Sequence, residues 1–299
     1  MASPWLALPA FAKINLSLEL LGRRPDGYWE IRTLYQTITL HDRLRLRLTH
    51  SPEVVVRVPG GGAPGGASNL IHRLLSRARR LLGIRRGAEV ELEKNIPVAR
   101  GLGGGSSDAA AALLGFLRLT RTELPEEELF RLGASVGADV PFFFLGGCAL
   151  GVGRGDEAHP LDDLEPVPCL LLSPPRTIPT RAAYAWATSR ARLTPRPQTA
   201  MIRDSRSLAA GLWTPGNDFE PVVFPRFPEL ARMKAALLRA GARQAGLSGS
   251  GSTVYALFSQ RAAAERAAAR WASAATVFQV ETLPRRRYQQ WLRWGVVQR

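Results

Sequence analysis

The sequence predicts an α+β protein made of two domains. Stretches in which apolar and polar residues alternate indicate strands, and Ala- and Leu-rich stretches with apolar residues at helical spacing indicate helices. The length of 299 residues exceeds a typical single domain and contains no internal repeats. Pro-rich segments at 160–180 and 194–198 favour a boundary near residue 156, so the predicted domains are 1–155 and 156–299.

Strands dominate the first part of the chain. In residues 11–20 the alternation predicts a strand with one apolar face, and it directs Lys13 and Asn15 to the same side. In a second predicted strand, at 34–48, arginines alternate with leucines, and we interpret these arginines as a solvated face. Two shorter strands are predicted at 53–58 and 88–93.

Helices are predicted where apolar residues recur every three or four positions. The first follows the flexible loop 59–67, with Ser68 as its N-cap. An Ala-rich helix runs from about Ser106 to Leu119, and another begins at Pro125 with three glutamates in its first turn. In the second half, helices are predicted near 226–241 and 260–274, and strands near 254–259 and 276–281.

The composition is typical of a packed globular protein. Apolar residues make up 45% of the chain, and no run reaches the roughly 18 uncharged apolar residues that a membrane span needs. The first residues lack the basic segment of a secretion signal, so we expect a cytoplasmic protein. In that reducing compartment, Cys148 and Cys169 are expected to be buried free thiols.

The formal net charge of +15 raises nucleic acid or acidic ligands as partners. The arginines are spread along the chain instead of forming one basic patch, so nucleic acid is the less favoured partner. Among 40 basic residues only Lys13, Lys94 and Lys234 are lysine, and the first two lie in or beside motif-like segments. Because an ammonium group differs chemically from a guanidinium group, these two lysines are candidate functional residues.

The segment NIPVARGLGGGSSDAAAALL has the strongest functional signal. Its glycines allow the backbone to approach an anion, and the following helix offers unpaired N–H groups at its N-terminus. A Walker A loop requires a Gly-Lys pair, which this chain lacks, and Ser106 stands where a Rossmann fingerprint has its third glycine. The pattern predicts a phosphate-binding loop of another kind. The alternative is a Gly-rich turn that merely precedes a helix.

Two further segments have weaker signals. In GADVPFFF, Asp139 is surrounded by apolar residues and is either a cap or a partly desolvated base. In GLSGSGSTVYALF, the Gly/Ser loop at 246–253 either closes over phosphates or forms a turn. The four histidines show no HExxH spacing and no GxSxG elbow occurs, so no metal site built by protein side chains is predicted.

In this order and at this separation, the three segments resemble the GHMP kinase superfamily, named for galactokinase, homoserine kinase, mevalonate kinase and phosphomevalonate kinase. With AKINLSLELLGRRPDGYWEIRTLYQTI, they are most similar to the family that phosphorylates 4-(cytidine 5'-diphospho)-2-C-methyl-D-erythritol. The resemblance spans nearly the whole chain. It implies an N-terminal domain like the second domain of ribosomal protein S5 and a ferredoxin-like C-terminal domain. It also implies transfer of phosphate from ATP, with Mg²⁺, to the 2-hydroxyl of that acceptor, in the non-mevalonate route to isoprenoid precursors.

Carried over position by position, the resemblance implies roles for single residues. Lys13 and Asp139 match the catalytic lysine and aspartate of the family. The implied ATP-binding positions are Asn69, Lys94, Pro97, Gly101, Gly103, Gly104, Gly105, Ser106, Ser107, Ser248, Gly249, Ser250 and Gly251. The implied acceptor-binding positions are Asn15, Tyr28, Trp29, Pro179, Thr180 and Tyr184.

One position departs from the family. Trp29 stands where the family has a histidine that hydrogen-bonds cytosine, and an indole has a donor but no acceptor. Two alternatives stay open: a GHMP kinase acting on homoserine or mevalonate, and a non-catalytic RNA-binding protein with an S5-like domain. The expected partners are the cytidine-diphosphate derivative and ATP, without a membrane and without nucleic acid. The expected assembly is a monomer or a weak homodimer.

Overall fold

The computed structural model describes residues 3–61, 63–190, 216–293 and 297–298, and the predicted α+β class is confirmed. The described strands are β1 Trp5–Arg23, β2 Trp29–Thr49, β3 Val54–Arg57, β4 Gly87–Glu93, β5 Cys148–Val152, β6 Glu157–Pro160, β7 Pro168–Ser173, β8 Gly216–Asn217, β9 Gln244–Leu247, β10 Val254–Leu257, β11 Thr276–Glu281 and β12 Val297–Gln298. The described α-helices are α1 Leu70–Leu81, α2 Gly104–Thr120, α3 Glu126–Ala134, α4 Phe142–Leu145, α5 Thr180–Arg190, α6 Glu220–Val223, α7 Pro228–Arg239, α8 Arg261–Ala268 and α9 Arg285–Arg293. None of these helices has the length and the apolar character that crossing a membrane requires.

The first sheet is built around the long antiparallel pair β1 and β2. Its strands follow the order β12-β1-β2-β4-β3, while β5 pairs with β2 and β6, and β8 pairs with β1. The arginine row predicted on β2 pairs with glutamates on β4: Arg43 with Glu93, Arg45 with Glu91 and Arg47 with Glu89. Because the leucines between these arginines are buried, the strand keeps one apolar and one polar face here.

The second sheet has four antiparallel strands in the order β11-β7-β10-β9. Along the chain the four strands come in the order β7, β9, β10 and β11. Helices α5 to α7 lie between β7 and β9, and α8 lies between β10 and β11. This arrangement is the βαββαβ pattern of a ferredoxin-like fold, which agrees with the expected C-terminal architecture.

Among the described residues, the buried apolar side chains form four clusters, and β1 contributes to all of them, with Phe11 in the smallest. Leu6 packs with α1 to α4, Leu18 packs with the helices of the second sheet, and Ile14 lies between the two sheets. The prediction of one apolar face for β1 is therefore wrong, since both of its faces are covered. Lys13 and Asn15 are consequently buried, at 3% and 2% exposure.

Two helix starts differ from the prediction. Asn69, not Ser68, caps α1, because its Oδ1 accepts a hydrogen bond from the Ile71 N–H at 2.8 Å, whereas Ser68 is exposed in a short 3-10 turn. The Ala-rich helix begins at Gly104, before the predicted Ser106. Ser68 and Asn69 are both residues that favour an N-cap, so the sequence does not decide between them, and helix ends are uncertain by one or two residues in any pattern-based assignment.

Both cysteines are buried free thiols, as expected. Burial raises the pKa of the Cys148 thiol to about 12. The Pro-rich segment 194–198 lies outside the described residues, and the domain boundary near residue 156 stays a prediction.

Candidate active site

A cleft of about 1330 Å³ contains most of the site residues that the sequence predicts. It is lined by the glycine loop before α2, by the tip of the Gly/Ser loop between β9 and β10, by Lys13 and Asp139, and by the aromatic residues of the implied acceptor site. Four predicted residues do not line it: Ser107, Pro179, Ser248 and Gly251. The glycine loop before α2 and the Gly/Ser loop between β9 and β10, which are far apart in sequence, thus meet at one cleft.

The two glycine loops are in direct contact. The Ser248 hydroxyl donates a hydrogen bond to the Gly101 carbonyl oxygen at 2.8 Å. A Cβ on Gly101, whose φ is +81°, would lie 2.0 Å from the Ser248 carbonyl oxygen. Glycine is therefore required at residue 101 both for its backbone conformation and for this approach. Ser248 supports the glycine loop from behind, which explains why it does not line the cleft.

Helix α2 directs its N-terminus into the cleft. Gly103 precedes it in the left-handed conformation, with φ at +72°, and no side chain caps the helix. The first N–H groups of a helix lack intrahelical partners, so Gly104, Gly105 and Ser106, which line the cleft, offer donors to an anion. The neighbouring Ser107 points inward, and its hydroxyl is buried without a partner among the described residues.

Strand β1 places Lys13 at the centre of the cleft, next to an irregularity in its pairing with β2. The Lys13 ammonium donates to Asn15 Oδ1 at 2.7 Å and lies 3.4 Å from Asp139 Oδ2. The Asn15 amide in turn donates to the Thr33 hydroxyl at 2.8 Å, which fixes the orientation of the amide. The lysine is thus held by a neutral oxygen on one side and faces a carboxylate on the other.

Asp139 is held on its other oxygen by Tyr35. The Tyr35 hydroxyl lies 3.0 Å from Asp139 Oδ1, and it also lies 3.3 Å from the Gly155 carbonyl oxygen. Burial raises the pKa of Tyr35 well above its ordinary value, and the Asp139 charge raises it further. The phenol therefore stays protonated and can donate to the carboxylate. Asp139 itself remains 30% exposed, so a ligand in the cleft can reach it.

Lys94 belongs to a second, more deeply buried charge cluster. Its ammonium contacts both Asp42 and Asp108, the latter at 2.7 Å. Burial would lower the pKa of Lys94, but the two carboxylates outweigh burial and raise it. Burial also raises the pKa of Asp108 well above its ordinary range, although Lys94 opposes this effect. Asp42 additionally accepts the backbone N–H groups of Asn95 and Ile96.

The implied acceptor end of the cleft is aromatic. Tyr28 is 58% exposed, and its ring carries the Arg154 guanidinium at 5.1 Å. Trp29 is buried and stacks near Tyr184, with ring centroids 6.5 Å apart and an interplanar angle of 30°. The Trp29 Nε1 donor has no partner among the described residues. Thr180 reaches the Gly/Ser loop, with its hydroxyl 3.1 Å from that of Ser250.

Several residues of the site were missed from the sequence. Tyr35 lies within an ordinary strand pattern, so no local signal distinguishes it. Asp108 could have been noticed, because an aspartate inside an Ala-rich, apolar helix requires a buried partner. Arg154 stands between two glycines in VGRGD, a turn pattern that could also have been noticed. Among the described residues, no cluster of three or more His, Cys, Asp or Glu side chains could hold a metal ion.

Comparisons with known proteins agree on one family. Residues 69–147 match the model of the GHMP kinases N terminal domain, and residues 200–276 match the model of the GHMP kinases C terminal domain. The chain is 40% identical to the 4-diphosphocytidyl-2-C-methyl-D-erythritol kinase of Pelotomaculum thermopropionicum, over 88% of this chain and 92% of that protein. It is 41% identical to the protein of the same name from Citrifermentans bemidjiense, over 90% of this chain and 95% of that protein.

Solved structures give the same result. A crystal structure of 4-(cytidine 5'-diphospho)-2C-methyl-D-erythritol kinase superposes with a TM-score of 0.78 at 34% identity, covering 93% of this chain and 99% of that chain. A homoserine kinase from Cytophaga hutchinsonii superposes with a TM-score of 0.68 at 18% identity, covering 94% of this chain and 95% of that chain. At that identity the second likeness shows the fold alone.

Proposed function

We propose that this chain transfers the γ-phosphate of ATP to the 2-hydroxyl of 4-(cytidine 5'-diphospho)-2-C-methyl-D-erythritol. The proposal starts from the family, since the chain belongs to the GHMP kinase family and to its 4-diphosphocytidyl-2-C-methyl-D-erythritol kinase branch. One observation carries this proposal at the level of the site. Lys13 and Asp139 lie 3.4 Å apart in the cleft that the phosphate loop and the aromatic end both line. The proposed donor and acceptor sites would thus meet at a charged pair suited to phosphoryl transfer.

The loop and helix N-terminus account for the donor side. Phosphoryl transfer depends mainly on positioning and on stabilising negative charge, and the N–H groups of residues 104–106 supply fixed donors for the triphosphate. A Cβ on Gly103 would lie 3.0 Å from Lys13 Cγ, so the loop and the lysine side chain are packed against each other. The phosphates bound by the loop would therefore lie beside the Lys13 ammonium.

Asp139 and Lys13 account for the acceptor side. In this mechanism Asp139 takes the proton of the acceptor hydroxyl as that oxygen attacks the γ-phosphorus, and the bond from that phosphorus to the β–γ bridging oxygen breaks, so that ADP leaves. The Lys13 ammonium, 3.4 Å from Asp139 Oδ2, offsets charge on the phosphoryl group being transferred. Tyr35, donating to the other carboxylate oxygen at 3.0 Å, leaves Oδ2 to receive the proton.

Mg²⁺ is part of the proposal as the ion that accompanies ATP. Magnesium sites in such enzymes use phosphate oxygens, water and one or two protein oxygens. The cleft fits this requirement, because Ser106 lines it beside the glycine loop and its hydroxyl would supply an oxygen ligand. When bound, the ion would neutralise charge on the β- and γ-phosphates. A cytoplasmic location and a monomer or weak homodimer stay predictions from the sequence.

A coupled assay of ADP release tests the proposed function. The purified chain should form ADP from ATP with the cytidine-diphosphate acceptor, and mass spectrometry should show one phosphate added to that acceptor. Mevalonate and homoserine, assayed in parallel, should support little ADP release. Faster turnover with either of them would assign the chain another substrate. Salt-sensitive retention of RNA without ADP formation would favour the non-catalytic alternative.

A further inference from the structure

The cleft is strongly basic at both ends. Among the residues that the structure describes, seven basic side chains and two carboxylates line it. Arg73, Lys94 and Arg100 belong to segments at the phosphate-loop end. Arg23, Arg154 and Arg181 belong to segments at the aromatic end. The donor triphosphate accounts for positive charge at the first end, but an aromatic site for a neutral base does not account for the second group.

Arg154 differs from the other two arginines in being held on several sides. Its Nε and Nη2 donate to Asp156 Oδ2 at 3.0 and 2.5 Å, and its backbone N–H donates to the other oxygen of that carboxylate. The face of its guanidinium lies over the Tyr28 ring at 5.1 Å. Its Nη1 has no hydrogen-bond partner in the part of the chain that the structure describes. By contrast, Arg23 and Arg181 are exposed, so holding either of them in place on binding would cost more side-chain entropy.

The backbone around Arg154 is fixed as well. Gly153 and Gly155 flank it in left-handed conformations, with φ at +67° and +90°. The Gly153 carbonyl accepts the Ile31 N–H at 2.7 Å. A Cβ on Gly155 would lie 2.7 Å from the Tyr35 hydroxyl. This short turn therefore presents one cationic side chain in a defined place.

That place lies between the two ends of the proposed acceptor. On one side Arg154 contacts Tyr28, which belongs to the aromatic end. On the other side the Gly155 carbonyl lies 3.3 Å from the Tyr35 hydroxyl, which lies 3.0 Å from Asp139. In the acceptor the diphosphate joins the cytidine to the methylerythritol that carries the reacting hydroxyl. A molecule with its base near Tyr28 and its hydroxyl near Asp139 must pass its diphosphate between them.

We propose that Arg154 binds the diphosphate of the acceptor through Nη1 and the remaining N–H of Nη2, with Asp156 and Tyr28 holding the guanidinium in position. This inference rests on the proposed function. It adds a residue that recognises the diphosphate of the acceptor instead of the base or the reacting hydroxyl. Arginine suits this role because its planar group can serve a carboxylate at one edge and a phosphate at another. It also gives a reason why an acceptor lacking the diphosphate would bind weakly.

Binding of CDP and cytidine, each measured by calorimetry, separates recognition of the diphosphate from recognition of the base. The wild type should bind CDP more tightly than cytidine. Arg154→Ala should weaken CDP binding by about tenfold, the scale of one lost charge-assisted hydrogen bond, while changing cytidine binding by about twofold or less. Arg154→Lys keeps the charge but loses the planar guanidinium group, so its CDP affinity should lie between those of the wild type and Arg154→Ala.

Arg45→Ala is the matched control, because Arg45 also donates to a carboxylate and lies over an aromatic ring, Trp5, but does not line the cleft. It should leave both affinities unchanged. Equal losses of CDP and cytidine binding in Arg154→Ala would mean that the arginine only supports Tyr28, and the inference would be overturned. Unchanged CDP binding in Arg154→Ala and Arg154→Lys, both shown folded by thermal unfolding, would overturn it too. A wild type that binds both ligands equally rejects this inference alone. A wild type that binds neither rejects the proposed function as well.

Discussion

Lys13 and Lys94 line the same cleft and are almost equally buried, yet their surroundings differ in one decisive way. The Lys13 side chain is 4% exposed, and its carboxylate partner, Asp139, is 30% exposed. The Lys94 side chain is 7% exposed, but Asp42 and Asp108 are 0% and 3% exposed. A substrate can therefore approach the carboxylate partner of Lys13, whereas the partners of Lys94 expose almost no side-chain surface.

The contrast teaches that burial of a lysine does not by itself indicate catalysis. Lys94 joins the end of β4 to Asp42 on β2 and to Asp108 in α2, so it connects α2 to the first sheet. Lys13 has a neutral oxygen and a reachable carboxylate as partners, so its charge remains available to a ligand. We interpret the role of Lys13 as catalytic and the role of Lys94 as chiefly structural, and the following experiments test this difference.

The largest effect is expected on stability, from Lys94→Met. Removing the ammonium leaves two carboxylates buried without a counter-charge, which costs about 3 to 5 kcal/mol. Denaturant unfolding measures this loss. Lys234→Met is the matched control, because that lysine pairs with Glu220 at 2.6 Å but is 26% exposed, and it should lose about 1 kcal/mol or less. Equal losses of unfolding free energy in the two variants would contradict a structural role for Lys94.

The next effect is expected on turnover, from Asp139→Asn. Loss of a general base should lower kcat by about a hundredfold or more, while folding and ATP affinity stay near the wild-type values. Lys13→Arg should also be poor, because a guanidinium cannot replace a compact ammonium between Asn15 and Asp139. Steady-state kinetics together with calorimetry of ATP binding check both variants. Near-normal turnover in both variants would show that Lys13 and Asp139 do not take part in the catalytic step.

A smaller effect, on nucleotide affinity, is expected from Gly104→Val. A Cβ at residue 104 would lie 3.0 Å from Ile96 Cγ2 and 3.3 Å from Lys94 Nζ, so the branched side chain should displace the helix N-terminus from its position on Lys94. We expect ATP affinity to fall by about tenfold, equivalent to about 1.4 kcal/mol, with acceptor affinity spared.

Gly105→Ala serves as its control. A Cβ there would have its nearest neighbour, Leu70 Cδ1, at 3.7 Å, which is ordinary contact. This variant should bind ATP nearly as well as the wild type. If Gly104→Val folds and keeps full nucleotide affinity, the glycine loop is a structural turn.

Tyr28→Ala and Tyr184→Ala should act on the acceptor side alone. Stacking of a base on an aromatic ring contributes about 1 to 3 kcal/mol, so each variant should raise the acceptor KM severalfold or more and leave the KM for ATP unchanged. Tyr28→Phe is the control that keeps the ring. A rise in both KM values would show that these residues support the whole cleft and do not contact the base.

The smallest expected effect concerns base selectivity at Trp29. Its Nε1 donor is buried without a partner among the described residues, and an indole cannot accept a hydrogen bond. Trp29→His should therefore increase the preference for the cytidine acceptor over its uridine analogue severalfold, as measured by the ratio of kcat/KM values. A wild type that already discriminates fully, with no change in Trp29→His, would place base recognition elsewhere.

Local patterns in the sequence were enough for much of this protein. The α+β class, six of the twelve described strands, five of the nine described helices, the family and the cleft-lining glycines could be predicted, because each depends on a short run of residues with its own periodicity or backbone requirement. The alternation in residues 11–20 even placed Lys13 beside Asn15, since side chains two apart on a strand share a face.

The tertiary structure alone decided which residues act together. Asp42 and Asp108 lie 52 and 14 residues from Lys94, and Tyr35 lies 104 residues from Asp139, so no local pattern could pair them. The same holds for the burial of both faces of β1, which follows from a second sheet built by residues more than a hundred positions away. Short-range periodicity determines which element forms, whereas the partner of a buried charge is selected by packing between elements that are distant in sequence. The difference between Lys13 and Lys94 therefore becomes visible only in the folded chain.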